Sequence, residues 1–111
     1  MTNTHYEVLI NMIDGLGRCN ENNYKIHFQE INAIDCYANE LLDDNDINYD
    51  TYKKIIHSLI CKLYHELGVL CDLIISFSLS DETDRPNLTY IATALRDKID
   101  YLKYCISIKS I

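Results

Sequence analysis

From Tyr52 to Ile74 the apolar residues Tyr52, Ile55, Ile56, Leu59, Ile60, Leu63, Leu67, Leu70 and Ile74 fall three and four positions apart. That spacing lays them on one broad stripe of an α-helix, whereas a half-buried strand would alternate every second residue. Continued to Leu79, the pattern exceeds the usual length of a globular helix and carries Gly68 in its interior, which predicts a kink or break near Gly68. The half from Val69 to Leu79 is apolar almost all round, as expected of the central, most buried helix.

Helical spacing recurs on both sides of this stretch. Thr4 and Glu7 have the separation of a capping box, and Leu9, Met12, Ile13 and Leu16 share a face of a first helix that Gly15 and Gly17 would stop. Asn20, Glu21, Asn22 and Asn23 form a polar loop. A second helix follows from Tyr24, Phe28, Ile31, Ile34, Ala38 and Leu41, although Ile26 and Phe28 also alternate with polar neighbours as a strand would. Asp43 to Asn48 lacks apolar periodicity and ends in two possible caps, Asn48 and Asp50. After a polar loop at Ser80 to Arg85, Pro86 suits the first turn of a helix, where its missing N–H costs nothing. Leu88, Ile91, Ala92, Leu95, Ile99, Leu102 and Ile106 supply that helix with an inner face. The expectation is an all-α, antiparallel four-helix bundle-like domain spanning residues 1–111, its third helix broken near Gly68.

Size and composition agree. A chain of 111 residues that is 48% apolar can enclose one core, with nothing left over for a second domain. His5, Glu7, Asp14 and Arg18 interrupt every apolar run near the start, so no secretion signal is expected. The most apolar stretch, Leu67 to Leu79, is 13 residues long and contains Asp72, whereas a bilayer span takes about 20 apolar residues. Cys19, Cys36, Cys61, Cys71 and Cys105 are odd in number and widely spaced, which points to free thiols and a cytoplasmic location.

The net charge of -7 is unevenly spread. Between Lys25 and Lys53 there is no Lys or Arg, while Glu30, Asp35, Glu40, Asp43, Asp44, Asp46 and Asp50 are all acidic. A surface of this sign repels phosphates and anionic lipid heads, which disfavours direct binding of nucleic acid or membrane and favours a basic protein.

No motif brings catalytic chemistry with it. Three glycines, none in a GxGxxG or P-loop arrangement, leave nothing to cradle phosphates, and no nucleophile elbow or cysteine signature is present. Asp44, Asp46, Asn48 and Asp50 alternate like calcium ligands of an EF-hand, but Tyr49 stands where the loop needs glycine and Ile55 where it needs glutamate. His57, Cys61 and His65 recur every fourth residue and line one helical stripe, yet no second cluster completes a metal site, so neither metal nor cofactor is expected. Asn87, Leu88 and Thr89 match a glycosylation sequon of no consequence without secretion.

Tyrosine is the remaining outlier, nine residues against two Phe and no Trp. Tyr90, Tyr101 and Tyr104 project from helix four opposite Leu95 and Ile99, together with Asp97, and tyrosine gives large contact area with little entropy to lose. Together these features suggest a non-enzymatic inhibitor: an immunity or antitoxin protein that neutralises a basic nuclease toxin by covering its nucleic-acid-binding or active-site surface. Glu40, Asp43, Asp44, Asp46 and Asp50, with Tyr49 and Tyr52, form the expected docking surface, and Tyr90, Asp97, Tyr101 and Tyr104 a second one. The alternatives are a viral or phage protein that blocks a host defence factor, and a small metal- or ligand-binding bundle using His57, Cys61 and His65.

Overall fold

A computed structural model of the chain describes residues 2–17, 23–78 and 85–109. Four helices account for nearly all of them: α1 (Thr2–Asp14), α2 (Tyr24–Asp43), α3 (Tyr49–Ser78) and α4 (Arg85–Lys109). No strand occurs among the described residues, so the strand-like opening of α2 is helical. The helices run alternately up and down. α3 packs against all three others, most extensively against α4.

The buried face of each helix follows its apolar spacing. Leu9 and Ile13 from α1, Ile31, Ile34, Ala38 and Leu41 from α2, Tyr52, Ile55, Ile56, Leu59, Ile60, Leu63 and Leu70 from α3, and Leu88, Ile91, Leu95, Ile99 and Leu102 from α4 make one continuous core. Each Leu or Ile taken from water contributes roughly 1.5–3 kcal/mol, the driving force for the bundle.

Three expectations are corrected. α1 begins at Thr2, so Thr4 lies inside the helix and is not its cap. Its end is as expected, with the Gly15 N–H donating to the Asn11 carbonyl at 2.9 Å. α3 is one unbroken helix of 30 residues. Gly68 is exposed, has no positive φ and has nothing within 4 Å of where a Cβ would stand, so it costs helix propensity without breaking the helix. The third correction concerns burial. From Val69 onward only Leu70 is buried among the described side chains of α3, while Leu73 is 41% and Ile75 61% exposed.

Length explains that exposure. At 1.5 Å per residue, α3 spans roughly 45 Å and α2 roughly 30 Å. The start of α2 lies past the middle of α3: His27 sits in the field of Glu66, and nearly a turn earlier Tyr24 stacks edge-on against Tyr90 of α4. Beyond that level the last turns of α3 have only α4, of the described helices, to pack on. Extents of 53 × 26 × 17 Å express the same mismatch.

No helix among the described residues is long and apolar enough to cross a membrane. Cys36, Cys61, Cys71 and Cys105 carry free thiols, the first three exposed and Cys105 buried. Cys19, the loop residues 20–22 and the polar stretch 80–84 lie outside the described residues.

Candidate functional site

The acidic segment is shaped by two adjoining caps. α2 ends in a Schellman arrangement: Asn45 takes a left-handed φ of 62°, its N–H donates to Leu42 O at 3.1 Å, and the Asp46 N–H reaches back to Leu41 O at 2.8 Å. Asparagine is the non-glycine residue best suited to that conformation. Ile47 then turns inward, only 2% exposed, and pins the turn to the core. α3 opens at once, with Asn48 Oδ1 accepting from the Thr51 N–H at 2.8 Å, so of the two expected caps Asn48 is the one used.

This compact turn gathers Glu40, Asp43, Asp44, Asp46 and Asp50 at one end of the bundle, all exposed. Among the described residues the single ion pair there joins Asp43 Oδ1 to Lys109 Nζ at 3.1 Å, between the C-terminal turns of α2 and α4. Asp50 lies in the first turn of α3, where the helix dipole favours a carboxylate. Asp43 and Asp44 are in the opposite situation. They stand at the C-terminus of α2, which has no basic residue in its last turn, and there the dipole opposes negative charge.

The two tyrosines assigned to this surface part company. Tyr49 is half-buried and donates its hydroxyl to the Ile106 carbonyl at 3.1 Å, so it ties the corner to α4 and offers one ring edge. Tyr52 is fully buried and is withdrawn from the docking surface. It sits on the same stripe of α3 as Ile55, Ile56 and Leu59, donates to Asn39 Oδ1 at 3.3 Å, and burial drives its phenol pKa well above the ordinary value.

Asp35, from the same acid-rich segment, is also inside. Its Oδ2 accepts from Lys98 Nζ at 3.2 Å and its Oδ1 from Asn39 Nδ2 at 2.9 Å. Seven sequence-adjacent acids thus divide between surface and core, and the exposed corner is smaller than the segment.

On α4, Tyr90, Asp97, Tyr101 and Tyr104 are exposed along one stripe, the rings at 63%, 50% and 60%. Two of these rings are braced: Tyr90 against Tyr24, with centroids 6.1 Å apart, and Tyr101 under the Lys98 ammonium at 4.7 Å. His57, Cys61 and His65 are all exposed on α3. No group of three or more His, Cys, Asp or Glu among the described residues could hold a metal ion.

Sequence reading missed His27. It is 3% exposed on the inner face of α2, its Nε2 has no hydrogen-bond partner among the described residues, and desolvation lowers its pKa against the opposing pull of Glu66 and Glu30. The signal was present, since positions 27, 31, 34, 38 and 41 continue one helical stripe.

No protein-family pattern, curated protein or solved structure matches the chain.

Proposed function

We propose that this chain is a small acidic protein-binding inhibitor of the immunity or antitoxin type, without enzymatic activity, acting in the cytoplasm on a basic partner. The partner class that fits is a nuclease toxin, whose phosphate-binding surface must be cationic and would be covered by the acidic corner. One observation carries the reading: Asp44 is held exposed at the end of α2 where the helix dipole disfavours it, whereas its neighbour Asp43 is compensated by Lys109. A carboxylate so placed costs the fold about 0.3–1 kcal/mol, so a use other than stability accounts for its place. Long-range attraction from Glu40, Asp44, Asp46 and Asp50 would steer a basic partner, and Tyr49 would lie at the edge of the contact. The braced tyrosine face on α4 is a second surface for the same role.

The test compares the tagged chain with a D43N/D44N/D46N/D50N variant in parallel capture from the source cells, followed by kinetics on the captured protein. The reading expects a basic protein that wild type retains and the variant loses, whose cleavage of DNA or RNA falls to zero at one equivalent of wild type. Association should slow with added salt more than release quickens, because screening acts within about 8 Å at physiological ionic strength. D44N alone should bind more slowly yet unfold at a higher temperature. A partner held equally by both proteins makes the corner a solubility feature. A captured protein that is neither basic nor a nuclease sinks the proposal.

A further inference from the structure

About 27 Å along α3 from the acidic corner, by helical rise, a groove of about 530 Å³ runs between α3 and α4. Its volume falls within the range of small-molecule sites, roughly 300–1,000 Å³. The floor is apolar: Ala92 and Ile99 are buried and Leu67 is half-buried beside them.

The α4 wall is cationic. Arg96 and Lys103 are seven residues apart, two helical turns or roughly 10 Å, and both line the groove. Arg96 forms no ion pair among the described residues. The Lys103 ammonium is drawn across to α3, where it donates to the Tyr64 hydroxyl and stands 4.8 Å from that ring. Asp100 is the only carboxylate among the groove's described lining, so the wall is net positive on a chain whose overall charge is -7.

An apolar floor alone would accept any hydrophobe, and a lone surface cation any anion. Placed a few ångströms apart they select a molecule that is both, since a planar guanidinium pairs best with a carboxylate- or sulfonate-like head. We propose that the α3–α4 groove binds a small amphipathic anion, an aryl or short alkyl carboxylate or sulfonate, with its apolar body on Leu67 and Cys71, above the buried Ala92 and Ile99, and its head on Arg96. Lys103, fixed by Tyr64, closes the far end. This site is separate from the acidic corner, and neither depends on the other.

Cys71, an exposed thiol on the groove's α3 side, makes the site measurable. The probe is 8-anilinonaphthalene-1-sulfonate, titrated at neutral pH into the full chain by calorimetry, beside N-phenyl-1-naphthylamine, which keeps the rings and lacks the sulfonate. In parallel, iodoacetamide alkylation of Cys71 and Cys61 is followed by peptide mass spectrometry with and without the sulfonate. The expected result is one sulfonate per chain, bound about tenfold more tightly than the neutral analogue, with affinity lost by about tenfold in R96Q/K103Q. Both replaced side chains are exposed, and circular dichroism checks that the variant is folded. Alkylation of Cys71 should slow several-fold while that of Cys61, also exposed on α3, does not change. Absence of saturable binding, equal affinity in R96Q/K103Q, equal affinity for the neutral analogue, or equal protection of both cysteines would each overturn the proposal.

Discussion

Lys98 of α4 and Asp35 of α2 meet at 3.2 Å with their side chains 17% and 6% exposed, an ion pair inside a bundle otherwise held by aliphatic packing. The pair extends into a chain of hydrogen bonds. Asp35 accepts from Asn39 one turn on, and Asn39 in turn accepts from the Tyr52 hydroxyl, so α2, α3 and α4 are joined by four side chains. Such a network contributes less to net stability than to register, because its alternatives are not water but unpaired buried groups.

The first prediction follows from that asymmetry. Asp35→Ala should cost about 2–3 kcal/mol, below the roughly 3–5 kcal/mol of a fully enclosed pair because the lysine keeps some contact with water. Replacing both partners, Asp35→Leu with Lys98→Met, should cost less than Asp35→Ala alone. Tyr52→Phe removes only the long 3.3 Å bond at the end of the chain and should cost about 1 kcal/mol. Urea unfolding of the variants and the double mutant checks all three, and a coupling energy near zero between Asp35 and Lys98 would contradict the network.

The second concerns acid. Burial lowers the pKa of His27 from 6.5, the dominant influence, while Glu66 and Glu30 raise it and Lys62 lowers it further. The folded protein therefore takes up this proton later than the unfolded chain as pH falls. Stability from the neutral imidazole is complete above pH 6.5 and declines below it, until the folded-state pKa is reached. One proton limits the slope to about 1.4 kcal/mol per pH unit. His27→Leu should flatten the unfolding free energy between pH 6.5 and 5 relative to wild type, and parallel curves for the two proteins would exclude His27 as the source.

The third turns the unbroken α3 into a measurement. Gly68 is exposed mid-helix with open space at its Cβ position, so Gly68→Ala should stabilise the protein by about 0.5–1 kcal/mol. Thermal unfolding gives the sign directly. A destabilised variant would mean that the glycine serves a close approach that the open space at its Cβ position does not show.

Apolar spacing by itself determined the four helices and nearly every core position, because a stripe at 3.6 residues has no other way to leave water. The cap chemistry at Asn48 and the stop at Gly15 were likewise local, settled by groups within four residues of each other. What neighbours do was decided elsewhere. Asp35 reads as one more acid in an acid-rich run until α4 brings Lys98 to it from 63 residues away. Tyr52 is the opposite case: composition suits it to an interface or a core, but its place on the apolar stripe of α3 already assigns it to the core, where it is found. The apolar end of α3 reads as the most buried part of the chain, yet it is exposed because α2 is too short to reach it, a matter of relative helix lengths that no residue in that stretch encodes. The α3–α4 groove is of the same kind: Tyr64 and Lys103 are 39 positions apart, and the surface they share exists only once the two helices lie antiparallel.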